Sequence, residues 1–260
     1  MINMFLRIFA FAYRDWLFAK RNVFAIVEML FWPIVGMLSI GLLGNFLKLG
    51  HSQQAFILTG AIVLGTLQVA QLDVAYALLH DIWSKSVKHT FLTPTGVFEY
   101  FIGPWVVGMV RGSIVFALLS GFSMYAFHFY LPGWIPTLIL LSGIFLNALV
   151  MGGLVGVLVL QYGQKAEISA WTFAYLFILV AGIYYPVNSL PPFFFHLSLG
   201  VPLTYFLEYF RSFYGHSAHL KEPLMKGYGI VSVALLGVFA LLNFSLARAR
   251  RNGVLLKLSE

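Results

Sequence analysis

The sequence predicts an all-α integral membrane protein: six transmembrane helices, an N-terminal amphipathic helix in the interface, and an external re-entrant helical segment before the last crossing. Three observations predict it. Hydrophobic residues make up 60% of the 260 residues and charged residues 10%, against about 25% charged in ordinary soluble domains. Mean hydropathy is +0.88. The apolar residues fall into about six runs of about 20 residues or more, each long enough for one helical crossing, and not into the short alternating segments of a barrel. Nothing is left over for a soluble catalytic domain.

Residues 1–21 form the interfacial helix. Phe5, Phe9, Ala12, Trp16 and Leu17 lie near one face, with Arg7, Arg14 and Asp15 largely off it, the pattern of a helix lying in the headgroup region. No small-residue cleavage site follows, so the segment is expected to be retained. The first crossing covers about Val23 to Leu47, with Glu28 a turn in and Pro33 inside it. The second covers about Ala55 to Leu79 and carries Gln68, Gln71 and Asp73. A polar hairpin, 80–100, follows. The third crossing runs from about Phe101 to Phe127 and holds Arg111, and the fourth from about Ile135 to Leu160 with Asn147. The fifth covers about Ile168 to Tyr185 and the last about Leu224 to Leu246.

Orientation follows from the basic residues. With both termini on one side, that side receives Arg7, Arg14, Lys20, Arg21, Lys85, Lys88, Lys165, Arg248, Arg250, Arg251 and Lys257. The other side receives Lys48, Arg211, Lys221 and Lys226. The positive-inside rule then puts both termini and the hairpin in the cytoplasm. The net charge of +7 is explained by these helix-end residues, so no nucleic-acid partner is expected. The segment 186–223 is then external. It is too apolar for a solvated loop and too broken by Pro186, Pro191, Pro192 and Pro202 for one crossing helix. Short helices that dip into the outer leaflet and turn back satisfy both facts.

Within the crossings, ionisable groups are costly and usually paired. Asp73 and Arg111 lie at matching depths on consecutive helices, which predicts an intramembrane pair. Gly108/Gly112 and Gly152/Gly156 have the spacing that lets helices approach closely, within one chain or across a dimer. There are no cysteines, hence no thiol chemistry. His216 and His219 lack a metal-binding context, and no G-x-x-x-x-G-K-[ST] loop is present. Energy for any transport is expected from another polypeptide.

Two local patterns resemble the ABC-2 type transporter permeases. KSVKHTFLTPTGVFEYFIG after the second crossing keeps Thr93, Pro94, Glu99 and Gly103, with Ser86 and Lys88 where the family commonly has Thr and Glu. The second pattern is Leu190, Pro191, Pro192, then Pro202 and Arg211. The resemblance covers nearly the whole chain. It implies a homodimer in the inner (cytoplasmic) membrane, paired with two copies of an ABC ATPase subunit that bind the ATP and Mg; this chain would hold no cofactor. It implies a coupling helix in the hairpin, with Trp83, Val87 and Phe91 as apolar anchors at helical spacing, Lys85 and Lys88 facing acidic groups, and the motif residue Pro94 counted among the coupling residues. Pro191, Pro192, Pro202 and Arg211 would build the external cap. Export of an amphipathic substrate is implied: a drug-like molecule, a lipid or a lipid-linked glycan. An ion-coupled secondary transporter and an intramembrane enzyme are the alternatives. The first has no visible internal repeat, and the second no nucleophile and base.

Overall fold

A computed structural model describes residues 2–21, 23–93, 95–216 and 220–252. Every regular element among the described residues is helical. The order is α1 (Ile2–Arg21), α2 (Val23–Phe46), α3 (His51–Trp83), α4 (Val87–Leu92), α5 (Val97–Phe127), α6 (Trp134–Tyr162), α7 (Ile168–Val180), α8 (Pro192–Ser198), α9 (Pro202–Ser212) and α10 (Pro223–Arg251). Short 3-10 turns occupy Gly163–Ala166 and Val187–Ser189.

Among the described residues, five helices are long and apolar enough to cross a membrane: α2, α3, α5, α6 and α10. The 33-residue α3 is the mast of the bundle, about 50 Å long at 1.5 Å per residue. It packs against α2, α5 and α6, and α10 lies against α6. The two glycine pairs face neighbours within this chain: Gly108 and Gly112 meet Ala70 of α3, while Gly152 and Gly156 meet Val74 and Phe101.

The fifth run is shorter than the sequence predicts. Helix α7 has 13 residues, about 20 Å, against a hydrocarbon core of about 30 Å. The chain leaves the helix at Gly182, whose φ of +67° suits glycine. Two short helices then follow, and each starts on a proline: Pro192 opens α8 and Pro202 opens α9. Proline favours a first helical turn because its fixed φ fits and its missing N–H has no partner to lose there.

Helix α1 is turned differently from a helix at a water surface. Phe5, Phe9, Tyr13 and Trp16 are exposed, while Arg14 and Asp15 face the bundle. In a lipid setting this is the sensible arrangement, since the aromatic face meets the bilayer and the polar groups find partners in protein. The helix seats on α5 at Gly103, where a Cβ would stand 2.5 Å from Phe11 Cβ and 2.9 Å from the Ala12 nitrogen. Only glycine permits that approach.

Candidate functional site

The hairpin is assembled on one carboxylate. Asp81, at the end of α3, is 3% exposed. Arg14 Nη1 of α1 donates to both its oxygens, at 2.9 and 3.1 Å. Ser86 Oγ donates to Oδ1 at 3.1 Å, Thr90 Oγ1 of α4 to Oδ2 at 3.2 Å, and Tyr100 OH of α5 to Oδ2 at 2.8 Å. One acidic side chain thus ties together α1, α3, α4 and α5, with charge-assisted bonds to the guanidinium. Arg14 Nε also bonds Asp15 at 3.0 Å, and Arg7 lies 3.6 Å from Glu99 at the start of α5. Arg250 of α10 reaches the Phe91 carbonyl at 3.3 Å. Burial pushes the Asp15 carboxyl up to about 6, and the opposing pull of Arg14 only partly offsets it.

The predicted coupling residues do not form one outward row. Val87 and Phe91 are buried in this chain's own core, beside Tyr100 and Leu246. The reason is local: α3 ends at Trp83, the chain turns through Ser84–Ser86 with Lys85 at φ +56°, and α4 begins a new axis. Spacing counted from Trp83 to Val87 therefore does not follow one helix face. Among the described residues Trp83, Ser84, Lys85, His89 and Thr93 are exposed here. Pro94 and the side chains of Lys88 and Glu28 lie outside the described residues.

Beside this hub is a cavity of about 470 Å³ between α1, α2, α3, α5 and α7. In its wall Arg111 Nη1 contacts Asp73 Oδ1, so the structure brings the two intramembrane ionisable groups together. Arg111 Nε is also 3.1 Å from Met29 Sδ. Trp32, Trp83, Trp171 and Phe18 supply the aromatic part of the lining. Trp171 Nε1 donates to Tyr76 OH at 2.9 Å, and the His80 ring sits among Phe18, Tyr76 and Trp83.

At the opposite end of the bundle Arg211 of α9 is 4% exposed. Its guanidinium donates to the Gly182 carbonyl at 2.6 Å, to the Ile183 carbonyl, and to the Phe56 carbonyl at 3.1 Å. It also stacks 3.5 Å from the Phe56 ring centroid. Arg211 thereby satisfies the backbone left open where α7 breaks. Gly60 of α3 makes room, because any Cβ there would overlap the Ile183 oxygen. Pro191, Pro192 and Pro202 stand at the α8 and α9 starts that carry this arginine into place. His216 meets Ser52, at 3.0 Å from Oγ; His219 lies outside the described residues. Among the described residues no group of three metal-ligating side chains converges.

Sequence reasoning missed the Arg14–Asp81–Tyr100 network and the cavity aromatics Trp32, Tyr76 and Trp171. Arg14 and Asp81 are 67 residues apart, and no local pattern marks them as partners. The one available signal was the presence of Arg14 and Asp15 on a helix otherwise suited to lipid.

Five crossing-length helices among the described residues, a helix packed on α5 and a polar hairpin built on a buried carboxylate define a multi-pass membrane protein. The chain belongs to the ABC-2 type transporter family, whose sequence profile matches residues 7–214. Membership makes it a membrane subunit of an ABC transporter. It is 26% identical over 205 residues to the inner membrane transport permease YadH of Escherichia coli K12, covering 78% of this chain and 77% of that one. The YadH permease of Shigella flexneri matches to the same degree. A 48-residue stretch is 60% identical to a protein of Archaeoglobus fulgidus described as uncharacterized, 18% of this chain and 75% of that protein.

Proposed function

We propose that this chain forms the translocation pathway of an ATP-driven exporter for an amphipathic substrate. Two copies pair with two ABC ATPase subunits in the inner membrane; the hairpin and both termini face the cytoplasm. ATP and Mg belong to the ATPases, and the chain itself carries out no chemistry. The observation that supports this reading is the Asp81 hub. Five hydrogen bonds from four partners converge on one buried carboxylate behind the exposed Trp83, Lys85 and His89. A push on the hairpin by a docked ATPase is therefore delivered to α1, α3 and α5 together, because packed and hydrogen-bonded elements move as units. At the other end, the Arg211 cross-link closes the bundle as an external cap over the pathway, on the same reading.

Co-expression with the ATPase encoded beside this chain tests it. The complex should purify intact and hydrolyse ATP, and Trp83→Ala with His89→Glu should reduce association at least tenfold. An ATPase that never associates refutes the permease assignment. Association indifferent to these substitutions moves the docking site away from the hairpin.

A further inference from the structure

The cavity beside the hairpin has a charge balance and a lining that select a ligand. Among the described residues two carboxylates line it, Asp15 and Asp73, against one guanidinium, Arg111; Arg14 pairs with Asp15 and Asp81 outside the lining. Asp81 has a full set of donors. Asp15 and Asp73 line the cavity, and each keeps one buried oxygen, Oδ2, without a hydrogen-bond partner; outside the lining, Arg14 Nη2 is an open donor. Buried acceptors left open cost free energy and favour a ligand that brings positive charge. Trp32, Trp83 and Trp171 face the same space, and indole faces attract cations most strongly of all side chains. Among the described residues the one guanidinium in the lining is that of Arg111, already engaged by Asp73 and Met29. The volume falls in the range of about 300 to 1,000 Å³ usual for small-molecule sites.

From this geometry we infer that the cavity binds an amphipathic organic cation, with its charge between Asp15 and Asp73 and its apolar body against Trp32 and Trp171. The inference deepens the permease reading and rests on it for its meaning as a transport site. Binding itself needs no ATPase, so the two can fail separately.

The test uses the full chain purified in detergent, with tetraphenylphosphonium as probe and tetraphenylborate, equal in shape and opposite in charge, as comparator. Quenching of tryptophan fluorescence reads binding. The cation should saturate and bind about tenfold or more tighter than the anion, as expected for a site whose open groups are carboxylates. Asp73→Asn and Asp15→Asn should each weaken the cation by about fivefold or more, and Trp32→Leu by about threefold. Trp32 is exposed on α2, so this change leaves the fold intact and decides the matter if Asp73→Asn fails to fold. Equal binding of both ions, preference for the anion, or indifference of the cation to Asp15→Asn and Trp32→Leu overturns the inference. If cation binding holds while no ATPase associates, the site stands and the exporter reading falls.

Discussion

Breaking the Arg14–Asp81 contact should loosen the whole hairpin end. The Asp81 side chain is 4% exposed and that of Arg14 25%. Removing one partner of a buried ion pair costs about 3 to 5 kcal/mol, because the other charge stays buried and unpaired. Asp81 keeps three hydroxyl donors when Arg14 is removed, which reduces this and places Arg14→Leu at about 2 kcal/mol. Asp81→Leu should cost about 3 kcal/mol, because Arg14 Nη1 and the Thr90 hydroxyl lose their acceptor while Arg14 Nε keeps Asp15, Tyr100 keeps the Ala77 carbonyl and Ser86 keeps Ser84. On soluble-domain scaling that lowers Tm by roughly 6 to 12 °C. The decisive measurement is a double-mutant cycle on the purified chain by thermal unfolding. The double variant should be more stable than the sum of the singles requires, by about 1 to 2 kcal/mol. Additivity to within about 0.5 kcal/mol would mean that the two side chains do not act as a unit, and the account of the hub would be wrong.

Arg211→Lys should destabilise the α8–α9 end by about 2 kcal/mol or more, because one ammonium cannot replace a planar fork that serves three carbonyls; limited proteolysis between residues 181 and 201 should accelerate, and unchanged cleavage would refute the anchoring role. Gly60→Ala should be at least as damaging, since its methyl would occupy the place of the Ile183 oxygen; normal yield and Tm would contradict the close approach. Asp15 titrates in the folded protein near 6, above its ordinary value of 3.8, so the folded state holds the proton more tightly than the unfolded chain. Its contribution therefore favours the fold below about pH 4 and fades as pH rises to about 6. Asp15→Asn, which mimics the protonated form, should raise Tm at pH 7 relative to the parent and lose that advantage as pH falls below about 4; an advantage that does not change with pH would exclude this cause.

Much of the architecture could be read along the chain, because the bilayer imposes a one-dimensional constraint. Apolar length marks a crossing, and depth along a helix follows from 1.5 Å per residue. That is why Asp73 and Arg111 could be matched in depth, and why Pro192 and Pro202 could be placed in a broken segment and not in a span. Rotation about the helix axis is a different matter. Lipid tails are as apolar as a protein core, so hydrophobicity does not say which face of a crossing helix packs and which meets lipid. Val87 and Phe91 turned inward, α1 turned its aromatic face outward, and α7 stopped at Val180, each through contacts with distant segments: Tyr100, Asp81 and Arg211. The sequence by itself determined that this is a helical membrane protein that resembles a transport family, and it predicted that Asp73 and Arg111 pair. Only the tertiary structure decided that Asp81 is the common anchor of four helices and that three tryptophans and two half-satisfied carboxylates share one cavity, because such convergence depends on packing between segments far apart in the chain.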